Sequence, residues 1–275
     1  MAIKLIALDV DGTLLDSRNE LLPGTIAALT SAARAGIYIV LSTGRMLSEC
    51  QELLQKLPMI RYAVTCTGAQ TIDLQTGRTI GRRSLTAQQL NMLCSHLWDL
   101  DVLLQIFDDR DGLMHNDARC LAQAERFCPP GLARAIRRYH APEEDLQAYV
   151  QAYEGPTNKL HMYFATADDK QTAVARLQGL DFALADTGPT DLEIMPPGVD
   201  KGLGLRQLSE HLGLTPEQIM AIGDGGNDEG MLRFAGVPVV MGNGADSVKA
   251  LAAWITDDND HDGVANAVYR ILQAQ

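Results

Sequence analysis

The stretch Leu5-Ile6-Ala7-Leu8-Asp9-Val10-Asp11-Gly12-Thr13 decides the fold of this chain. An almost wholly apolar run, Ile3 to Leu8, predicts a strand that is buried on both faces, as in a parallel sheet. Two carboxylates and a Gly-Thr turn follow it. Asp9 and Asp11 are two residues apart, so an extended backbone points both side chains to the same side. Like charges that close together repel one another unless a cation lies between them.

The position of these carboxylates indicates a site for a hard cation. Ligands of open α/β sheets bind outside the carboxyl ends of the strands, and Mg²⁺ is usually held by carboxylates, phosphate oxygens and water. A solvated acidic turn is the alternative for this motif alone. An EF-hand, whose first, third, fifth and twelfth positions would be Asp9, Asp11, Thr13 and Glu20, is rejected. The loop needs glycine where Leu14 stands, and a strand precedes it.

The composition is that of an ordinary folded protein. The chain has 275 residues, enough for two domains, and 46% of them are apolar, enough for a packed core. A net charge of −12 argues against nucleic-acid and membrane partners, because both would require a basic face. The charge does not exclude an anionic small substrate, since a bound metal and a few cations can reverse the local field.

The cysteines and the N-terminus predict a cytoplasmic protein. The five cysteines are odd in number and no pair has Cys-x-x-Cys spacing, which indicates reduced thiols rather than a disulfide framework or a zinc site. The N-terminus lacks the long apolar core of a signal peptide. No apolar run approaches the ~18 residues of a membrane span.

Strands alternate with helices at both ends of the chain, which predicts right-handed βαβ units and a doubly wound parallel sheet. The rhythm changes near Ser84 and resumes after Pro196-Pro197-Gly198. We therefore predict an α/β core of residues 1–83 and 197–275, with a smaller α/β cap domain, residues 84–196, inserted into it. Three strands are expected in the inserted domain, over 102–107, 159–164 and 192–195. Helices are expected from Thr86 to about Leu97 and over 117–127, 143–153 and 168–177.

Polar groups follow several elements of the predicted core. They are Asp9, Asp11, Thr43, Lys201, Asp224, Asn227 and Asp228, and Gly44 directly follows Thr43. Each has an ordinary explanation: Thr43 as a helix cap, Lys201 as a solvated lysine, and the Gly-Asp-Gly-Gly-Asn-Asp run at Asp224 as a flexible turn. Together at the carboxyl edge of one parallel sheet they indicate a functional site.

Four motifs occur in a fixed order: Asp-x-Asp-Gly-Thr, Thr-Gly-Arg, Gly-x-x-Lys-Gly and Gly-Asp-Gly-x-Asn-Asp. In this order they resemble the haloacid dehalogenase superfamily of phosphatases. The long insertion between the second and third motifs resembles its Cof-type branch, which carries a large α/β cap. The resemblance covers essentially the whole chain. It implies a Rossmann-like core and Mg²⁺-dependent hydrolysis of small phosphomonoesters, such as sugar phosphates.

The resemblance also implies roles for the acidic residues. Asp9 would be the nucleophile that forms an aspartyl-phosphate. Asp11 would protonate the leaving oxygen and then activate water. Mg²⁺ would be held by the carboxylates of Asp9 and Asp224 and the backbone carbonyl of Asp11.

The remaining motif residues would bind the phosphoryl oxygens. They are Thr43, Gly44, Lys201 and Asn227. Asp228 would support them by orienting Lys201 or a metal-bound water. One departure concerns Thr67, which stands where the family often has Asn, and it puts in doubt a contact from this loop to the leaving group.

The inserted domain offers a candidate for substrate selection. Residues 159–164 alternate, with Lys159, His161 and Tyr163 on one face of a strand and apolar residues on the other. If helices cover the apolar face, Lys159 and His161 are available to bind hydroxyls or a second anionic group of the substrate. The alternative is that they simply face solvent.

Two other functions remain open at this point. A phosphomutase or phosphotransferase uses the same aspartyl-phosphate chemistry. A catalytically silent ligand-binding protein could share the fold, although it would have no need for the full set of motif residues. The sequence indicates neither the physiological substrate nor the oligomeric state.

Overall fold

The computed structural model describes residues 2–108, 114–138 and 140–274. Its contacts divide the chain into two compact units, Met1–Arg82 with Val199–Gln275, here called the core unit, and Arg83–Gly198, here called the inserted unit. The sequence prediction has the corresponding boundaries after residues 83 and 196. Among the described residues no helix combines the length and the apolar composition that a membrane span requires.

The core unit is built on one eight-stranded sheet. Its strands are β1 (Leu5–Leu8), β2 (Tyr38–Ser42), β3 (Ile60–Thr65), β4 (Gln70–Asp73), β5 (Arg78–Arg82), β12 (Ile219–Gly223), β13 (Val237–Val240) and β14 (Trp254–Ile255). They lie in the order β14-β13-β12-β1-β2-β3-β4-β5. All neighbours from β14 to β3 are parallel, and β4 and β5 add an antiparallel hairpin at one edge. The predicted α/β fold with a doubly wound parallel sheet is confirmed.

Helices cover both faces of this sheet. They are α1 (Pro23–Arg34), α2 (Gln51–Lys56), α8 (Lys201–Leu212), α9 (Glu229–Phe234), α10 (Asp246–Lys249) and α11 (Gly263–Ala274). The four residues of β1 are fully buried. Ile6 and Leu8 pack in an apolar cluster with α1 and α11, whereas Leu5 and Ala7 pack in another with α8 and α9. The uninterrupted apolar run therefore forms a central strand, because both of its faces meet helices.

The inserted unit has a six-stranded sheet of its own. Its strands are β6 (Val102–Asp108), β7 (Met114–Asp117), β8 (His140–Glu143), β9 (Thr157–Phe164), β10 (Ala183–Gly188) and β11 (Asp191–Met195). They lie in the order β10-β11-β9-β6-β7-β8. The neighbouring pairs are antiparallel except β7 and β8.

The helices of the inserted unit are α3 (Ala87–Ser95), α4 (Ala118–Ala122), α5 (Pro130–Arg138), α6 (Leu146–Ala152) and α7 (Ala167–Leu177). On β9, Leu160, Met162 and Phe164 pack in the apolar cluster that includes residues of α3, α6 and α7. Tyr163 on the opposite face packs with residues of α4 and α5. The helix predicted over 117–127 is wrong in its length, because Gln123 leaves helical geometry at φ −107° and ψ 26°.

Candidate active site

The carboxyl end of β1 delivers Asp9 into the interior. Its backbone N–H donates to the carbonyl of Ile222 at 3.0 Å, which ties the end of β1 to β12. Only 5% of Asp9 is exposed. The chain then turns through Val10–Leu14, where Gly12 has a φ of +76°. A Cβ at Gly12 would also overlap the carboxylate of Asp224, so glycine is required for both reasons.

Three carboxylates converge beside this turn. Asp9, Asp224 and Asp228 each offer an oxygen, and these oxygens lie within 4.8 Å of one another. The buried ammonium group of Lys201 donates to Asp9 Oδ1 at 2.6 Å and to Asp228 Oδ1 at 2.6 Å. Lys201 is therefore a buried residue of the site, and the solvated alternative considered for it does not apply.

Asp228 has both oxygens engaged by the protein. Oδ1 accepts from Lys201, and Oδ2 accepts from the backbone N–H groups of Asp224 and Gly225, both at 2.9 Å. The latter bonds shape the turn that follows β12. This arrangement favours a positioning role for Asp228 over direct ligation.

Burial and mutual repulsion perturb the ionisation of the cluster. Burial first, and then the charge of Asp228, raise the pKa of Asp224 to about 6, although a hydrogen bond from Thr13 opposes the shift. The same two causes raise the pKa of Asp9 well above its usual value. For Lys201 burial alone would lower the pKa, but the charges of Asp228 and Asp9 raise it, so the amine stays protonated.

The donor set fits a hard divalent cation. Asp9 Oδ1 accepts from Lys201 and Asp224 Oδ1 accepts from Thr13 at 2.8 Å. The second oxygen of each carboxylate accepts no hydrogen bond from the described residues. Two such oxygens on groups with raised pKa values are stabilised by a cation between them, and carboxylate oxygen is the ligand that Mg²⁺ prefers.

Arg45, which the sequence reasoning did not select, pairs with Asp11. Its guanidinium donates from Nε to Asp11 Oδ2 at 2.9 Å and from Nη2 to Asp11 Oδ1. The Asp11 side chain is 56% exposed and lies outside the buried carboxylate cluster. Arg45 is the last residue of the Thr-Gly-Arg motif, and that motif was the available signal for it.

Thr43 lies at the carboxyl end of β2 and is buried. Its backbone N–H donates to Val64 at 2.9 Å, and its hydroxyl oxygen accepts from the backbone N–H of Arg45 at 3.1 Å. The hydroxyl hydrogen can still be donated to a phosphoryl oxygen. Half-buried Gly44 forms the bend between these two residues. Asn227 is half buried on the turn after β12, and its side chain has no hydrogen bond to the described residues.

The loop after β3 is in an unusual conformation. Cys66, Thr67 and Gly68 have φ values of +49°, +56° and +99°. The N–H of Cys66 donates to the carbonyl of Arg45 and that of Thr67 to the carbonyl of Thr43, both at 3.0 Å. A Cβ at Gly68 would overlap the carbonyl of Asp200, the residue before Lys201. This left-handed loop thus packs between the Thr43–Arg45 bend and the start of α8.

The two candidate residues of the inserted unit are not solvated. Lys159 is 1% exposed, pairs with Glu193 and lies over the ring of Phe107 at 4.5 Å. The ring of His161 packs on that of Tyr163, with centroids 4.3 Å apart. Burial lowers the pKa of His161 to about 3, against the opposing charge of Glu193, so the imidazole is neutral.

The sequence motifs and the geometry agree with a comparison against known families. The model of the haloacid dehalogenase-like hydrolases matches residues 6–268. The chain belongs to this family. The resemblance inferred from the four motifs is therefore confirmed.

Several curated relatives of this haloacid dehalogenase-like hydrolase are named as phosphatases. The 5-amino-6-(5-phospho-D-ribitylamino)uracil phosphatase of Bacillus subtilis is 31% identical over 97% of this chain and 94% of its own length. The HMP-PP phosphatase of Cronobacter sakazakii is 30% identical over 87% of this chain and 84% of its own. The predicted enzyme class, a phosphatase, is confirmed.

Solved structures show the same fold. A haloacid dehalogenase-like hydrolase from Bacteroides thetaiotaomicron superposes with a TM-score of 0.82 at 28% identity, over 98% of this chain and 99% of that one. Another from B. subtilis superposes with a TM-score of 0.85 at 24% identity, over 97% and 99% of the two chains.

Proposed function

We propose that this phosphatase hydrolyses small phosphomonoesters, such as sugar phosphates, in a Mg²⁺-dependent reaction through an aspartyl-phosphate at Asp9. The observation that carries the proposal is the contact of buried Lys201 with Asp9, beside the carboxylate of Asp224. A cation and a nucleophile held this close suit attack on a phosphate dianion, since repulsion of the anionic attacker is the main obstacle. The names of the two curated relatives support a small phosphorylated metabolite as substrate.

In the first step an oxygen of Asp9 attacks phosphorus and the bond to the leaving oxygen breaks. Asp11 gives its proton to that oxygen. Mg²⁺, held by Asp9, Asp224 and the Asp11 carbonyl, would offset charge on the phosphoryl group. The Lys201 ammonium and the Thr43 hydroxyl donate hydrogen bonds to the phosphoryl oxygens, where charge develops.

Asn227 and the bend at Gly44 complete the set of groups that bind these oxygens. In the second step water attacks phosphorus, Asp11 takes a proton from the water, and inorganic phosphate leaves Asp9. The Arg45 guanidinium, which donates to both oxygens of Asp11, fixes the position of this carboxyl group for both steps.

We also propose that Lys159 and His161 select among substrates. The Lys159–Glu193 pair keeps an ammonium group in a defined position. The Nε2 atom of neutral His161 is buried and has no hydrogen-bond partner among the described residues, so it can still bind a hydroxyl group. All five cysteines are free thiols, which supports a cytoplasmic location.

The test is phosphate release from a panel of phosphate esters by the purified protein, with Mg²⁺ and then with EDTA. We expect release that EDTA abolishes, that Mg²⁺ restores, and that Ca²⁺ supports poorly because it prefers more ligands at longer distances. Asp9→Asn should lower turnover at least ~10³-fold, since loss of a nucleophile disables the whole catalytic unit. Asp181→Asn, at an exposed aspartate of the inserted unit, is the matched control.

Three outcomes would contradict the proposal. Turnover of folded Asp9→Asn within tenfold of the wild-type value would show that Asp9 is not the nucleophile. Full activity in EDTA would exclude the metal role. Phosphate release only when an acceptor sugar is present would favour a phosphomutase or phosphotransferase.

A further inference from the structure

The turn that follows β13 is bonded to both acidic loops of the site. On one side the N–H of Ala245 donates to the carbonyl of Asp224 at 2.9 Å. On the other side Nδ2 of Asn243 donates to the carbonyl of Gly12 at 2.8 Å. A single short turn therefore spans the gap between the loop after β1 and the loop after β12.

A second asparagine fixes the orientation of the first. The backbone N–H of Asn259 donates to Asn243 Oδ1 at 3.1 Å, and Asn259 Nδ2 donates to the carbonyl of Leu15 at 2.9 Å. Because Oδ1 of Asn243 faces a donor and Nδ2 faces an acceptor, only one orientation of this amide satisfies both contacts. Two asparagines thus hold the loop after β1 at its middle and at its end.

This loop needs external bonds because its own geometry is irregular. Asp11 and Gly12 depart from helical angles, with ψ values of 122° and −2° and a positive φ at Gly12. The Gly12 carbonyl belongs to a residue that lies against the Asp224 carboxylate, and the Thr13 hydroxyl donates to that carboxylate at 2.8 Å. The contacts of Asn243, Ala245 and Thr13 therefore close a ring that sets the spacing between the two acidic loops.

We propose that Asn243 is a positioning residue of the phosphatase site, oriented by Asn259. By holding the Gly12 carbonyl it fixes the Gly12–Thr13 peptide plane, next to Asp11, and the distance from Asp9 to Asp224, the groups that would bind Mg²⁺. Asn243 itself is exposed and contributes little to the core. Its loss should therefore weaken metal binding more than it weakens folding. This inference rests on the proposed Mg²⁺-dependent function.

The test compares Asn243→Ala and Asn243→Asp with Asn266→Ala. Asn266 is the matched control, because its Nδ2 donates to Asp257 at 2.7 Å and, among the described residues, makes no hydrogen bond to the loop after β1. Two quantities are measured: the Mg²⁺ concentration that gives half-maximal activity, and the rise in Tm that Mg²⁺ produces without substrate. Substrate kcat and KM are then determined at saturating Mg²⁺.

We expect both Asn243 variants to require about 10- to 100-fold more Mg²⁺, the range typical of groups that orient metal ligands. Asn243→Asp keeps the shape of the side chain but loses the donor toward Gly12, so its Mg²⁺ requirement should not return to the wild-type value. The Mg²⁺-induced rise in Tm should shrink in parallel, whereas KM at saturating Mg²⁺ should change little. Asn266→Ala should match wild type in every measurement.

A wild-type Mg²⁺ requirement in either of the two Asn243 variants would overturn the inference. If Asn243→Ala fails to fold, Asn243→Asp alone decides, because it keeps the size and shape of the side chain and removes only the donor toward Gly12. A rise of about tenfold or more in its Mg²⁺ requirement supports the inference, and no rise overturns it. A wild-type protein that neither needs Mg²⁺ nor is stabilised by it would show that the proposed function itself has failed.

Discussion

The ammonium nitrogen of Lys201 lies 2.6 Å from Oδ1 of Asp9, although 192 positions separate the two residues in the sequence. Lys201 is the first residue of α8, and Asp200 caps this helix by accepting from the N–H of Leu203 at 2.7 Å. The start of one helix and the end of one strand thus meet in the interior. The geometry of this pair leads directly to a prediction about both activity and stability.

Lys201→Ala should lower kcat/KM by on the order of 100-fold or more, as loss of one preorganised electrostatic group does. It should also lower Tm, because Asp9 and Asp228 would remain buried without their counter-charge. Adding Asp228→Asn to this variant removes one of the two charges and should recover Tm but not activity. Lys56→Ala, at an exposed lysine, is the control. An unchanged kcat/KM in Lys201→Ala would remove Lys201 from the mechanism.

Asp224→Asn should stabilise the metal-free protein at neutral pH. The folded-state pKa of Asp224 is raised from 3.8 to about 6, so the folded state holds the proton more tightly than the unfolded state does. Stability therefore falls as the pH rises between these values, and the penalty is complete above the folded pKa. The asparagine of the variant is uncharged and avoids this penalty, and its side-chain oxygen can still accept the hydrogen bond from Thr13. In EDTA the gain in Tm should be largest at pH 7 and above.

The same gain should shrink toward pH 5, where the wild-type carboxyl is largely protonated. Thermal unfolding of both proteins from pH 5 to 8 measures this difference. A constant difference in Tm across this range would show that the charge of Asp224 is not its cause. Activity should be lost in the variant at every pH, since a proposed metal ligand has been weakened.

Thr67→Asn should raise Tm by a few degrees. Thr67 has a φ of +56°, a region that β-branched residues rarely adopt and that asparagine tolerates better. Thr67→Val keeps the branched shape and the strain but loses the hydroxyl, so it should lower Tm. Differential scanning calorimetry of the three proteins provides the measurement. If Asn and Val are equally destabilising, the buried contacts of Thr67 outweigh its backbone strain.

His161→Gln should change the ranking of phosphate esters. The imidazole is neutral and half buried, so the substitution exchanges one neutral polar group for another with little effect on charge. We expect kcat/KM to shift unevenly across substrates with large polar leaving groups and to change little for a small aryl phosphate. Lys159→Met provides a second variant, with Tm monitored because buried Glu193 loses its ion pair with the Lys159 ammonium. Equal changes for all substrates, or none, would exclude selection by this face.

The sequence predicts the strands of the core unit better than those of the inserted unit, for physical reasons. Strands β1, β2 and β12 of the core are mostly apolar and buried, and each ends at a polar motif. By contrast β8 contains Pro142, which argues against a strand, yet it lies at the edge of its sheet, where the missing donor is tolerated. β10 is also an edge strand, and its Ala, Asp and Gly residues have low β-propensity.

Two features of the site could not be obtained from motif spacing. The Arg45–Asp11 pair depends on how two loops approach each other, which neither local pattern encodes. Asn243 lies in an ordinary Met-Gly-Asn turn, and only the position of Gly12 in space gives it a role. Strand ends are predictable because the sheet aligns them, whereas contacts between the loops beyond those ends depend on tertiary structure.

The order of strands in the core sheet has a consequence for synthesis. β1 is central, with β2 on one side and β12, more than 200 residues later, on the other. Until Ile219–Gly223 has left the ribosome, one edge of a wholly apolar strand has no partner. Nascent chains stalled between β11 and β12 should therefore bind chaperones strongly and aggregate when released, although most of the protein has already been made.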